Sequence, residues 1–281
     1  MQYNGKTGIR KMKSKKLLLF VIYIVFFFLP FTLSAKDSMA EKAYEEGDYS
    51  EAISLMEKSL REQGASSSLY YNLGNAYSQS GSPAGAVLNY EKALKLDPGN
   101  SQARNNLYYT ESLVQIANEA LTDGKNIDPT PADQSFLDWL RKGIARLSSN
   151  KWSVVAVIMF LLFLSGCASY IFISSVTIKK VGFFGGGVCL LLTCLACWFA
   201  SISKSVAKDD SMCVLMADEV SLRLEPSDEA KEVASPLSSG TKLKILESAQ
   251  DSIGGEWFRL YLNMEYTGWA KATEFSRITL N

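Results

Sequence analysis

Histidine is absent from all 281 residues, and that single absence removes several kinds of chemistry. Ser-His-Asp triads, Cys-His dyads and His-bearing zinc sites all need an imidazole. Cysteine is scarce where it would matter. Of five, Cys167, Cys189, Cys194 and Cys197 lie inside hydrophobic runs, and only Cys213 falls in a polar region. One such thiol cannot build an intramolecular disulfide framework. Net charge is also missing, 29 bases against 29 acids, and the acids avoid two stretches altogether. Residues 1–35 carry six Lys/Arg and residues 151–203 carry three lysines, with no acid in either. The acids collect in residues 36–150, net −5, and in residues 204–281, net −4. Two acidic, water-compatible segments therefore flank an uncharged hydrophobic block, as in a membrane protein with two exposed domains. Each is too short for a large enzyme core, and neither is basic enough to favour a nucleic-acid partner. There is no P-loop, and no catalytic residue, cofactor or metal is expected.

The basic leader reads as an export signal. Lys6, Arg10, Lys11, Lys13, Lys15 and Lys16 precede an apolar run over Leu17–Ala35 that is interrupted by Pro30. Small residues at Ser34 and Ala35 suit cleavage, Leu33 does not, and the run is long enough to stay as an anchor, so residues 1–35 are either a signal peptide or an N-terminal anchor. Two further runs, Trp152–Val176 and Val181–Ser203, carry no charge, and each can cross a hydrocarbon layer about 30 Å thick. Thr177, Ile178, Lys179 and Lys180 separate them, which predicts a tight helical hairpin with a cytoplasmic turn and both polar segments on the outer face. Arg141, Lys142, Arg146 and Lys151, crowding the other end, speak against that orientation, but an export signal acts first. Gly182, Gly185, Gly186 and Gly187 either let the two helices approach closely or are ordinary composition on a lipid-facing surface. Leu164-Ser165-Gly166-Cys167 spells a lipobox, but in the middle of a span. Cys194-Leu195-Ala196-Cys197 is either a membrane dithiol or a pair of small hydrophobes.

A period of 34 residues runs between Asp37 and Leu121. Gly47 aligns with Gly81, Ala52 with Ala86, Glu57-Lys58 with Glu91-Lys92, and Leu60 with Leu94. The unit over Ser67–Asn100 resembles a tetratricopeptide repeat, with Tyr70, Leu73, Gly74 and Tyr77 on its first helix, Ala86, Tyr90 and Ala93 on its second, and Pro98 ending it. Small residues suit a close helix crossing, aromatics fill the gaps, and proline cannot continue a helix. Ser82 fits an N-cap before Pro83, and Asp48 caps the equivalent helix of the first unit with Glu51 three residues on. The first unit departs from the pattern at Met39, Ala40, Ala43, Met56 and Ser59. The third, Ser101–Leu121, supplies a single capping helix. The 34-residue offset pairs Tyr71 with Asn105 and Asn75 with Tyr109. By the resemblance these four line the concave groove where extended peptides dock; alternatively they face solvent or cover the cap helix.

Residues 122–133 read as a linker, with Asp123, Gly124, Asp128, Pro129 and Pro131. Phe136, Leu137, Leu140, Ile144 and Leu147 then recur at helical spacing among Arg141, Lys142 and Arg146. Together with Trp139 they form an amphipathic juxtamembrane helix over the rest of the 122–150 segment, lying either in the membrane interface or against the repeats. Residues 212–281 change to short β-type runs with turns at Glu225-Pro226-Ser227, Ser239-Gly240 and Gly254-Gly255. The run Val220–Ser227, Gly240-Thr241-Lys242, Glu256-Trp257 and Gly268-Trp269 resemble the marks of bacterial SH3-like barrels, with Ser221 in place of Asn. In such barrels Trp257 and Trp269 more often pack the core, and Arg223 more often braces a loop, than touch a ligand.

The expected fold is therefore a multidomain membrane protein: an all-α tetratricopeptide-repeat domain over 37–121, a two-helix transmembrane hairpin at 152–176 and 181–203, and a small all-β SH3-like barrel at 212–281. This order, together with Tyr71-Asn72-Leu73-Gly74-Asn75-Ala76, the Phe-Leu-x-Trp-Leu segment, Leu147–Trp152 and Gly182-Phe183-Phe184-Gly185-Gly186, resembles the BatE family of the Bacteroides aerotolerance operons. The resemblance implies companionship with membrane-bound von Willebrand-type proteins, other Bat-operon proteins and a MoxR-type ATPase. It implies a non-catalytic scaffold in the inner membrane with both domains periplasmic. An envelope sensor reading peptidoglycan through the barrel is the alternative.

Overall fold

A computed structural model describes residues 38–121, 136–233, 236–251, 254–261 and 267–280. The leader at 1–35 and the linker at 122–133 lie outside the described residues. Among the described residues, five helices come first: α1 (Ser38–Glu45), α2 (Tyr49–Gln63), α3 (Ser67–Gln79), α4 (Pro83–Leu96) and α5 (Ser101–Leu121). The aligned glycines explain the turns. Gly47 and Gly81 stand at φ +82° and +79°, a left-handed conformation that ends α1 and α3 and that a side chain disfavours. Asp48 accepts a hydrogen bond from the Glu51 amide at 2.9 Å, and Ser66 does the same for Leu69 at 3.1 Å. Ser82 takes the N-cap position of α4 without a side-chain bond, leaving Pro83 to set the helix start.

Packing between α3 and α4 rests on size differences. A Cβ on Gly74 would sit 2.5 Å from the Tyr90 ring, and one on Gly85 would sit 2.4 Å from that of Tyr77. Tyr70, Leu73, Ala86, Tyr90 and Ala93 are buried in this core, with Ala43, Ala52 and Met56 of the first unit. Tyr77 is half-buried and donates its hydroxyl to Glu57 at 2.7 Å, and Pro98 follows the end of α4 at Leu96.

Next in the chain come α6 (Phe136–Ala145), α7 (Ser149–Phe172) and α8 (Val176–Ala207). The last two are long and apolar enough to cross a membrane, and little of either is buried. Water would not tolerate so much continuous exposed hydrocarbon, and the pair points to membrane association. The turn falls at Ile173–Ser175, earlier than residues 177–180. Lys179 and Lys180 belong to the first turns of α8, because lysine continues a helix readily while extended Ile173 and Ser175 break it. The glycine of the Leu164–Cys167 lipobox match packs closely on the facing helix. A Cβ on Gly166 would lie 2.7 Å from the Gly182 carbonyl oxygen and 3.2 Å from the Gly186 Cα, whereas Gly185 and Gly187 face open space.

The last part is an antiparallel β unit: β1 (Met212–Leu215), β2 (Glu219–Val220), β3 (Leu237–Ser238), β4 (Lys242–Gln250), β5 (Glu256–Tyr261), β6 (Thr267–Lys271) and β7 (Phe275–Arg277). Five strands pair in the order β6-β5-β4-β1-β7, and β2 pairs with β3. Alternation does the sorting along β4, where Leu243 and Ile245 turn inward between half-exposed Lys242 and Lys244. Trp257 is buried and donates its indole N–H to Asp251 at 2.9 Å, while Trp269 is half-buried. Arg223 braces the loop that follows it, donating to the Asp228 and Ala230 carbonyls.

Candidate protein-docking face

Helix α4 is apolar on two sides, and each side meets a different neighbour. Ala86, Tyr90 and Ala93 face the repeat core, while Ala84, Val87, Glu91 and Lys95 form the opposite stripe. The β unit docks on that second stripe. Val214 and Ile278 join the repeat core there. Gly240 (φ +88°) comes so close that a Cβ would lie 2.9 Å from Val114 and 3.2 Å from the Pro83 backbone. Asn118 of α5 is buried; its amide donates to Thr241 Oγ1 at 2.8 Å and its oxygen accepts from the Ser238 N–H at 2.8 Å. Lys242 Nζ sits 2.6 Å from Glu91 and 2.6 Å from Glu111. Burial alone would depress the Lys242 ammonium, but the charges and hydrogen bonds of these two glutamates outweigh it and hold it above the ordinary lysine range. Lys95 donates to the Ile278 carbonyl and pairs with Asp210 at 3.2 Å.

Elsewhere on the repeats, half-buried Tyr44, Tyr71, Asn75 and Asn106 are followed along α5 by exposed Tyr109. Tyr71 packs partly against the core, its ring centroid 6.2 Å from that of Tyr90. Tyr44 of α1 lies near enough for both Tyr49 and Tyr71 to add to the effect of burial in raising its pKa. Asn75 Oδ1 accepts two hydrogen bonds, from the Tyr90 hydroxyl at 2.8 Å and from Asn106 Nδ2 at 2.9 Å. One amide thus ties α3, α4 and α5 together. Burial pushes the Tyr90 phenol up to about 12, against the lowering effect of its hydrogen bonds with Asn106 and Ser78, so it stays protonated and available as a donor.

Of the four residues expected to form a groove, Tyr71 and Asn75 meet through Tyr90, and Asn75 works as a brace between helices. Asn105 and Tyr109 sit on the exposed side of α5, Tyr109 being 62% exposed. The amide that reaches Asn75 belongs to Asn106, the neighbour of Asn105, which the offset pairs with Tyr71. Tyr44 and Asn106 were missed. So was the stripe that continues Tyr109 along α5, Leu113 and Ile116, which are 48% and 62% exposed. Their i, i+4, i+7 spacing was a readable signal.

These features define a helical-repeat region with one face spent on its own β unit, attached to a pair of long apolar helices. Residues 67–100 match the tetratricopeptide repeat family, the same stretch that spacing had singled out. Comparison with curated proteins finds no match. A repeat of this kind points to protein–protein interaction and to protein partners; such repeats are typically non-catalytic.

Proposed function

We propose that the protein is a non-catalytic scaffold of the inner membrane whose tetratricopeptide groove holds an extended segment of a partner protein. The carrying observation is the cluster of half-buried Tyr44, Tyr71, Asn75 and Asn106 with exposed Asn105 and Tyr109 beside it, apart from the α4 stripe on which the β unit docks. Asn75 spends its oxygen inside the fold, so in this reading its NH₂ serves a partner's backbone carbonyl, while Asn105 supplies an exposed amide and the rings cover apolar side chains. The β unit, read as a bacterial SH3-like barrel, locks the repeats and adds a second surface. The BatE resemblance names the partners as membrane-bound von Willebrand-type proteins and other proteins of an aerotolerance or stress-related complex.

In this reading the hairpin spans the membrane and both exposed domains are periplasmic. The leader supports that orientation, and so do Lys179 and Lys180 near the hairpin tip. The opposing basic flank is partly neutralised, since Lys151 pairs with Asp97 of the repeats at 2.8 Å. A photo-cross-linking amino acid at position 109 should capture a von Willebrand-type protein from native membranes, and one at Glu225 in the β unit should not. Muropeptides captured at position 225, with nothing at 109, would transfer the function to the barrel as an envelope sensor.

A further inference from the structure

Helix α6 presents four large apolar side chains outward in ten residues: Phe136, Leu137, Trp139 and Leu140 are 71%, 60%, 64% and 38% exposed. Phe136 and Trp139 stack at 5.7 Å. Its one buried residue among those described is Ile144, and the bonds around it fasten this end of the helix to the hairpin. Trp152 of α7 donates its indole N–H to the Ile144 carbonyl at 3.0 Å, and Ser203 of α8 donates to the Leu147 carbonyl at 2.8 Å. The exposed apolar face of α6 therefore continues the apolar surface of α7 and α8 at the end where the repeats attach. Exposed Arg146 and Lys204 adjoin these bonds, and Lys208 lies one turn further on, before Asp209 and Asp210, the latter paired with Lys95 of the repeats.

We propose that α6 lies flat in the membrane surface, its aromatic face immersed at the boundary between headgroups and acyl chains and its basic neighbours meeting anionic headgroups. The inference rests on reading α7 and α8 as membrane spans. The occupant of the apolar face is lipid because that face is continuous with the hairpin surface, because stacked aromatic rings favour this depth, and because the flanking charge is positive. The helix then acts as an outrigger. With the Lys151–Asp97 pair at the same end, it sets the angle at which the repeats stand above the bilayer.

The test uses native tryptophans of the full-length protein in vesicles of equal parts phosphatidylcholine and phosphatidylglycerol, with bromine carried on the acyl chains. The emission lost in Trp139→Phe isolates Trp139, which is exposed and whose replacement spares the core. That difference emission should be quenched most by bromine near the headgroups and least by bromine at the chain ends. Residual emission of the variant should still be quenched, through Trp152 and Trp198 of the hairpin. Quenching of the residual emission with none of the Trp139 difference would overturn the surface helix and leave the spans intact, pointing to a protein cover for α6. Absence of quenching from both would overturn the spans and the surface helix together.

Discussion

Lys242→Met should unseat the β unit from the repeats. The ammonium lies 2.6 Å from each of two carboxylates, with side-chain exposures of 25% for Lys242, 20% for Glu91 and 34% for Glu111. Methionine keeps the volume of the stem but leaves two converging negative charges without a counter-ion. Removing one partner of a fully buried pair costs about 3–5 kcal/mol; water reaches part of this cluster, so the expected loss is about 2–3 kcal/mol. Amide exchange at Ser238, whose N–H is held by Asn118 across the same interface, reads docking locally. In detergent its protection should fall roughly 30- to 150-fold. Adding Glu91→Gln and Glu111→Gln should return most of that protection, because the stranded charges are gone. The sign of the pH effect follows from the raised Lys242 pKa. Its contribution is complete below the ordinary lysine value of 10.5 and is lost as pH rises through the higher folded value. The stability gap between wild type and Lys242→Met should hold steady through the neutral range and close in strong base. A folded Lys242→Met with wild-type protection at Ser238 would refute the electrostatic argument and leave the docking to Gly240, Val214 and Ile278.

Three other outcomes follow from the packing and the termini. Gly74→Leu should destabilise the repeats by about 1–3 kcal/mol, seen as a lower unfolding midpoint, because a Cβ there already meets the Tyr90 ring at 2.5 Å. Burial pushes the Cys213 thiol up to about 12, so it should resist maleimide in the native protein at neutral pH and react only on unfolding; rapid native labelling would contradict the buried β1 position. A cysteine placed at Ser66 should react with an impermeant reagent in cells whose outer membrane alone is opened, and labelling only after inner-membrane lysis would reverse the orientation.

How much was legible depended on whether a feature leaves a period in the chain. The repeat over 67–100 does, through Tyr70, Leu73, Gly74, Ala86, Tyr90, Ala93 and Pro98, and the apolar helices do through length. Docking of the β unit leaves none, since its contacts join residues more than a hundred apart, such as Asn118 with Thr241 and Glu91 with Lys242. The one local trace was α4, apolar on both sides, which signals burial on both sides. Signature positions also hide roles. Asn75 sits where a ligand-gripping amide was expected, yet its oxygen is committed to Tyr90 and Asn106. Gly166, in a lipobox match discounted for its place in mid-span, faces Gly182 and Gly186 across the hairpin.

The central claim is that the tyrosine–asparagine cluster of the repeats, and not their stability, is what partners need. Asn105→Ala combined with Tyr109→Ala is the cleanest probe, because both residues are exposed and neither is needed by the core that holds Tyr71 and Asn75. Unfolding midpoint and helicity should stay at wild-type values while recovery of von Willebrand-type partners from native membranes falls about tenfold, equivalent to about 1.4 kcal/mol. A folded double variant that recovers those partners at the wild-type level would contradict the claim.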